Sequence, residues 1–525
     1  MKPGFSVCLA IALSLLMNTV WPAACSEAFA GLAAPVAYNL GSSPDPYIPN
    51  AAPASEATGH FTGDGKLDLV VTHLRDASVY FLKGNGDGTF RPAVRIPIGT
   101  PIQGDVFTGD FNGDGKTDLF LPGSNGQAIV LLGNGDGTFK PPIVSSSFNY
   151  PGHYPRGWTV GKFTGSGKLD VAFTLPSTSS NAGRYGILLG NGDGTFGKAI
   201  IGPEILGYSR WVTCGDFNRD GHLDLAVADG QGTSTLPGNS QMTILLGNGD
   251  GTFRLGGHYA SPQFPNGDGW HDATAVSHPE NIVAADLTGN GILDLIESDY
   301  SSTLNVFIGN GDGTFQPAVS YDPGNYPRNV VPVDLDHDGK IDLVVTNVGI
   351  GPGGAIFGKV GAQPGSVSIL MGNGDGTFQQ PITYGPSAFP GYTVVGDFNG
   401  DGYPDLAITQ VLDGHAIHVM LNKPSSRKLP PTFVNPPSAS PSTVTDQTAQ
   451  LSVLGDDDDG ESNLTYTWSA VGSVPAPITF SINGSNKAKN TQATFTKNGS
   501  YLIECKQTDK QGLSAIKLVV VQVKR

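Results

Sequence analysis

The sequence predicts an all-β protein: a closed ring of seven repeated units followed by a small β-sandwich. Three observations carry that expectation. An oxygen-rich phrase, complete in Asp110-Phe-Asn-Gly-Asp-Gly-Lys-Thr-Asp118, recurs seven times, opening at His60, Asp110, Lys162, Asp216, Asp286, Asp334 and Asp397. A second phrase, Gly-Asn-Gly-Asp-Gly-Thr-Phe, occurs six times, from Gly84, Gly133, Gly190, Gly247, Gly309 and Gly372, and alternates with the first. Between them stand short apolar runs of strand length, and the 73 glycines fall at fixed places rather than in a low-complexity tract.

At 525 residues the chain exceeds one ordinary core, so a large domain and a smaller one are expected. The formal net charge of -16 argues against nucleic acid and anionic membrane surfaces as partners. Much of the acid lies in the repeated phrase, where a bound cation would neutralise part of it.

Residues 1–30 read as a secretory signal: Lys2, an apolar run from Val7 to Val20, and Ala28-Phe29-Ala30 as the cleavage site. Cleavage before Cys25, for lipid attachment, is the alternative, although Pro22 replaces the usual aliphatic residue. No later run is long enough to span a bilayer. The mature chain is expected to be secreted or extracytoplasmic, with the cell surface as an option, and monomeric. Cys8 and Cys25 lie in the leader; Cys214 and Cys505 fall in different expected domains, which gives no disulfide framework.

Within residues 31–423 each unit reads as strand, acidic loop, strand, variable loop, strand, tight hairpin, strand. In the second unit Asp105-Val-Phe-Thr leads into the loop, Asp118-Leu-Phe-Leu and Ala128-Ile-Val-Leu-Leu follow, Asn134-Gly-Asp-Gly is the hairpin, and Phe139 opens the last strand. Asn-Gly and Asp-Gly supply the positive φ that such turns need. Four short strands per repeat, with loop ends at Asp68, Asp118, Asp170, Asp224, Asp294, Asp342 and Asp405, describe seven blades of a β-propeller. The seventh unit stops at Lys423 without its last strand, and Pro35-Val-Ala-Tyr38 resembles Pro317-Ala-Val-Ser-Tyr321. The N-terminal strand is therefore expected to complete the seventh blade and cover its edge. Residues 424–440, rich in Pro and Ser, read as a linker, and residues 441–525 as an immunoglobulin-like sandwich of alternating strands.

Asp-Phe-Asn-Gly-Asp-Gly-x-x-Asp-Leu followed by Leu-Gly-Asn-Gly-Asp-Gly-Thr-Phe resembles the FG-GAP/VCBS repeat, which also builds the head propeller of integrin α chains. The resemblance covers roughly residues 35–423. It implies a seven-bladed propeller with calcium in several blades and no single activity, since members include adhesion proteins, lectin-like proteins and a few enzymes. Residues 432–523 are similar, more weakly, to PKD or other Ig-like modules.

The loop chemistry suits Ca²⁺. Alternate oxygen side chains at positions one, three and five, a backbone carbonyl at seven and a carboxylate at nine form a cage for a hard cation, and glycine at six permits the turn. The candidate ligands are Asp110, Asn112, Asp114 and Asp118; Asp216, Asn218, Asp220 and Asp224; Asp286, Asn290 and Asp294, with Thr288 at the third position; Asp334, Asp336, Asp338 and Asp342; and Asp397, Asn399, Asp401 and Asp405. The first loop offers His60, Thr62, Asp64 and Asp68, a poorer set. The third offers Lys162, Thr164, Ser166 and Asp170, where a lysine–aspartate pair is expected to replace the ion. The other reading of all seven is a set of Asx-rich turns. The Asn-Gly-Asp-Gly hairpins read as turns rather than metal sites.

In propellers of this family the loops and hairpins share one face, and the connections between blades lie on the other. On that second face the candidate ligand residues are Arg156, Trp158, Arg210, Trp211, Trp270, His271 and Arg328, which could stack on sugar rings or grip carboxylates. The alternative is that these aromatics pack between blades. Asp456 to Asp459 read as a solvated turn, and His415-x-x-His418 is a weak metal spacing. No nucleophile, metallohydrolase or P-loop motif is present. The expectation is an extracellular binding or adhesion module for polysaccharide or surface protein. The alternatives are a carbohydrate-active enzyme such as a polysaccharide lyase, and a structural envelope protein.

Overall fold

A computed structural model describes residues 31–40, 53–74, 76–145, 155–176, 182–206, 208–230, 241–262, 279–299, 302–349, 365–387, 390–410, 416–422, 431–456, 461–472, 474–510, 512 and 514–524. The expected signal, Cys8 and Cys25, together with Trp270, His271, His415 and Asp457 to Asp459, lie outside them. The chain divides into two units, with Gly31–Lys423 forming one. No described helix is long and apolar enough to cross a membrane.

Gly31–Lys423 contains seven four-stranded antiparallel sheets, here sheets I to VII in chain order of their loops. Sheet IV shows the plan: Tyr208–Gly215, Asp224–Gly230, Gln241–Gly247 and Phe253–Ala260, each paired with the next. The first strands of the others are Pro53–Gly59, Phe107–Gly109, Trp158–Gly161, Pro279–Ala285, Pro327–Val333 and Pro390–Gly396. Sheet VII takes its fourth strand from the N-terminus: Val36–Asn39 runs antiparallel to Ala416–Met420, with Val36 opposite Val419. The Ala33 N–H donates to the Leu421 carbonyl at 2.7 Å and extends that join.

Burial follows position within a sheet. Second strands such as Asp118–Gly123 and Asp342–Asn347 are buried at every residue. Outer strands such as Val94–Pro97 are largely exposed. A strand covered on both faces reads as a continuous apolar run, which is why these segments do not alternate. The cores lie between consecutive sheets. Phe111 and Phe120 of the second repeat meet Trp158 and Phe173 of the third. Leu69 and Val71 of sheet I meet Phe398, Ala407 and Val419 of the seventh repeat. The Thr393 N–H of sheet VII donates to Asn329 Oδ1 of sheet VI at 3.0 Å. First and last sheets are thus neighbours.

One element departs from expectation. In five repeats the hairpin closes through an isolated bridge, such as Gly133 with Phe139, and the fourth strand starts later, at Ile143 in sheet II. Only in sheet IV does it open on the phenylalanine, Phe253. Pro92, Pro141, Pro142, Pro317 and Pro381 follow the phenylalanine in four of the five and remove ladder donors there.

The second unit holds residues Pro424–Arg525. Two four-stranded sheets enclose one core containing Leu451, Tyr466, Trp468, Tyr501, Ile503, Cys505 and Val521. Its first strand, Thr432–Ser440, falls inside the stretch read as linker. Pro436 and Pro437 gave that stretch its linker-like composition, yet an edge strand tolerates prolines because one side of it needs no ladder donors. Trp468 Nε1 donates to the Ala488 carbonyl at 2.8 Å. Cys214 and Cys505 are free thiols.

Candidate functional site

The two repeated phrases lock together. In sheet II both oxygens of the buried Asp118 accept backbone N–H groups: Oδ2 from Phe111 at 2.9 Å and Oδ1 from Gly133 at 2.8 Å. One carboxylate therefore ties the acidic loop to the hairpin of the same sheet. Asp68, Asp170, Asp224, Asp294 and Asp342 do the same in five others; in sheet VII, which has no such hairpin, Asp405 accepts from the Phe398 N–H and from the Asn422 N–H at the end of the third strand. Gly133 must be glycine, because a Cβ would lie 2.3 Å from the Thr117 carbonyl oxygen. The hairpin then reaches the previous sheet. Gly137 donates to the Phe61 carbonyl at 2.9 Å, Gly194 to Phe111, Gly251 to Phe163 and Gly313 to Phe217. Gly88 donates to the Phe398 carbonyl at 2.9 Å, which carries the chain of bonds across the join between sheets I and VII. Asp136 of the hairpin accepts from the N–H and hydroxyl of Thr138, a turn role as expected.

The first, third and fifth loop positions also organise backbone. Asp110 accepts from Gly113, Asp114 and Gly115; Asn112 Oδ1 accepts from the Asp114 N–H; Asp114 Oδ1 accepts from the Lys116 N–H. Asp216, Asn218 and Asp220 repeat this, as do Asp397, Asn399 and Asp401. In sheet V, Asp286 and Asn290 keep it with one carboxylate fewer. These are Asx turns, but an sp² oxygen has two lone pairs, so the bonds do not exhaust the donors.

Sheet VI fits a cation best. Asp334, Asp336 and Asp338 each bring an oxygen within 4.8 Å of the others, the only such trio of His, Cys, Asp or Glu among the described residues. Burial, then the charges of Asp338 and Asp334, raise Asp336. Asp342 is raised to about 7, mainly by burial, with Asp336 and Asp338 adding to it. Lys340 pairs through Nζ with Asp338 Oδ2 at 2.7 Å and donates its backbone N–H to Asp338 Oδ1 at 2.9 Å. Hard oxygens crowded against their own repulsion are the donor set that Ca²⁺ takes. In the corresponding position nine of sheets IV and VII, Asp224 and Asp405 are raised to about 6, again chiefly by burial.

The lysine substitution occurs, but in a different sheet from the one expected. Lys162 is exposed and forms no ion pair with Asp170. Asp170 Oδ2 instead accepts from the Phe163 N–H at 3.1 Å and the Thr164 hydroxyl at 3.3 Å, and Thr164 Oγ1 in turn pairs with the Ser166 hydroxyl at 2.9 Å. Three hydroxyl-bearing or carboxyl side chains satisfy one another there without an ammonium. In sheet I, Lys83 Nζ lies 2.9 Å from Asp64 Oδ2 and holds that carboxyl down at about 2. The signal was in the sequence: Lys83 stands where the other repeats carry Leu132, Leu189, Leu246, Ile308, Met371 and Leu421.

The other end of the ring carries a cavity of about 540 Å³. Arg156, Arg210, Trp211 and Arg328 line it, with Gln103, Asp105, Ser124 and Tyr392. Arg210 and Arg328 stand at the starts of first strands whose far ends run into Asp216 and Asp334, so the cavity lies away from the acidic loops. Each arginine precedes the opening position of its loop (Lys162, Asp216, Asp334) by six residues; the equivalent positions elsewhere are Ala54, Gly104, Glu280 and Gly391. That shared offset is a signal for the site which the aromatic pattern alone does not give. The Arg328 guanidinium covers the Tyr392 ring at 4.9 Å. Asp105 is raised to about 6 by burial, opposed by Arg328.

Trp158 is not in this lining. It is 3% exposed, packs on Phe120 and Phe173, and donates from Nε1 to Gln103 Oε1 at 3.0 Å. An indole so placed fills a gap between sheets. Trp270 and His271 lie outside the described residues.

No curated protein sequence matches the chain. Among solved structures, BBS1N in complex with ARL6DN, soaked with mercury, is 11% identical with a TM-score of 0.47, covering 74% of this chain and 99% of that one. The Dos1 propeller is 12% identical with a TM-score of 0.42, covering 70% of this chain and 77% of that one. The model of the FG-GAP-like repeat matches residues 60–121, 110–173, 162–227, 286–345 and 359–408, more than half of the sequence. With its loops, hairpins and four-stranded sheets, the chain belongs to the FG-GAP-like repeat family.

Proposed function

We propose that the chain is a secreted, calcium-stabilised propeller of seven blades that acts as an extracellular binding module, with a polysaccharide or a surface protein as its ligand. The observation that carries this reading is the cavity at the unrepeated end of the ring. Side chains from separate sheets, Arg156, Arg210, Trp211 and Arg328, share it, whereas the repeated acid is used at the opposite end. Its volume falls in the range of ~300–1,000 Å³ usual for small-molecule sites. Calcium would be held by the loops of sheets II, IV, VI and VII, with sheet V as a poorer site. When bound it supplies charge neutralisation and cross-links the turn, a folding contribution by linkage.

The C-terminal sandwich, with Trp468 and Tyr501 at its core, serves in this account as a PKD- or Ig-like spacer. Tyr501 donates its hydroxyl to the Lys497 carbonyl at 2.9 Å, a bond to nearby upstream backbone of the kind found in Ig-type domains. The test is a glycan and protein array probed with the secreted chain, with and without chelator, followed by Trp211→Ala and Arg210→Ala. A ligand whose binding those two substitutions abolish supports the reading. A ligand whose affinity ignores them contradicts it.

A further inference from the structure

We infer that the cavity takes an acidic sugar, a ring carrying one carboxylate among several hydroxyls, as found in uronate-containing polysaccharides. This rests on the cavity being the binding site. The first ground is charge placement. The chain carries 46 acidic against 30 basic residues, yet three of its arginines meet at one mouth. A guanidinium presents a planar fork that matches a carboxylate, which a lysine ammonium does not.

The second ground is preorganisation. The Arg210 carbonyl accepts from the Gly157 N–H at 2.7 Å and from the Thr174 hydroxyl at 3.3 Å. Gly157 has to be glycine for that approach, since a Cβ would lie 2.4 Å from the Arg210 carbonyl oxygen. The Arg156 N–H donates to the Thr174 carbonyl at 2.9 Å, so two of the arginines hang from one bonded junction of sheets III and IV. Gln103 fixes the adjoining wall, accepting from Trp158 and donating to the Pro155 carbonyl at 3.1 Å. On such a frame the backbone that carries Arg156 and Arg210 is fixed before a ligand arrives.

The third ground separates a sugar from an acidic peptide. Asp105 lies in the same lining as the arginines. It would repel a closely spaced run of carboxylates, but it accepts hydrogen bonds from the hydroxyls of a sugar that has one acid per ring. Trp211, half-buried against the core of sheets IV and V, gives the lining an apolar surface for a pyranose.

The experiment is calorimetry on the secreted chain with three probes: an oligogalacturonate, its carboxyl-reduced neutral counterpart, and a polyglutamate peptide. The oligogalacturonate is expected to bind, about tenfold or more tightly than the neutral oligomer, and to weaken with added salt. Arg210→Gln and Arg328→Gln are each expected to weaken it about tenfold. Arg156→Gln, at an exposed position, is a second variant that leaves folding intact if Arg328→Gln does not. Equal binding of the neutral oligomer overturns the acidic assignment. Tighter binding of polyglutamate overturns the sugar. If none of the probes binds while another ligand needs Trp211, the inference fails and the binding-site reading survives. If no ligand of any kind depends on Trp211 or Arg210, the reading itself fails.

Discussion

At one end of the ring, Asp118 and five of its counterparts make the same pair of backbone bonds, and Asp405 makes a matching pair in sheet VII. At the other end, equivalent positions carry Ala54, Gly104, Arg156, Arg210, Glu280, Arg328 and Gly391. The first end repeats because each sheet has the same problem: a loop and a hairpin full of N–H groups must be tied together and joined to the neighbouring sheet. The second end is free to vary because strand pairing does not depend on it. Repetition therefore marks what holds the fold, and departures from repetition at a fixed offset mark what can bind.

Breaking the repeated end should have the largest effect. Asp342→Ala leaves the N–H groups of Leu335 and Gly372 without their acceptor, at about 1–3 kcal/mol each, and a urea melt should show the sum. Asp170→Ala should cost a similar amount, and its cost should not change with chelator, because Lys162, Thr164 and Ser166 offer no cation cage. Equal calcium sensitivity of the two variants would erase the distinction between the sheets.

Asp336→Ala comes next. With calcium at a hundredfold excess over Kd it should lose about 2.7 kcal/mol. In chelator it should be neutral or stabilising, because one of three crowded carboxylates has gone. The sign reversal, read by thermal melts in the two buffers, separates a metal ligand from a turn residue.

The third prediction concerns pH. Burial raises Glu56 and Asp229 to about 8 and Glu297 to about 7. The folded state thus holds protons that the unfolded chain releases. Their contribution is fully present below the ordinary carboxylate range, about pH 4, and is lost as pH rises to 7–8. Chelated protein should melt lower at pH 8 than at pH 6, and Asp229→Asn with Glu297→Gln should flatten that slope. A melt independent of pH in this window would count against buried, neutral carboxyls.

The smallest effect belongs to sheet I. Lys83→Leu removes a solvent-screened ion pair, and the melting temperature should barely move. Combined with His60→Asp, it should give the first loop a cation site it lacks, measurable as one additional bound calcium.

The fold was legible because its signals are local. Loop spacing, Asn-Gly turns and strand lengths gave the sheets, and the similarity of Pro35-Val-Ala-Tyr38 to other outer strands gave the strand that closes sheet VII. Long-range terms were less legible. Trp158 read as a ligand residue because an aromatic beside an arginine looks the same whether it faces solvent or a neighbouring sheet. Lys83 was overlooked because it lies outside the acidic phrase, and only folding brings it to Asp64. Asp105 and Tyr392 joined the cavity from repeats that carry no arginine there. The linker-like prolines near Thr432–Ser440 lie in a strand because composition does not report whether an edge needs its donors.

The central claim is that the acidic loops hold the ring through calcium while the arginine mouth does the binding. Calorimetric titration of calcium into the chelated chain tests the first half most directly. The account predicts uptake by the loops of sheets II, IV, VI and VII, loss of one ion in Asp336→Ala, and no change in Asp170→Ala or Arg210→Gln. Absence of uptake, or a loss of ions on changing Arg210, would contradict it.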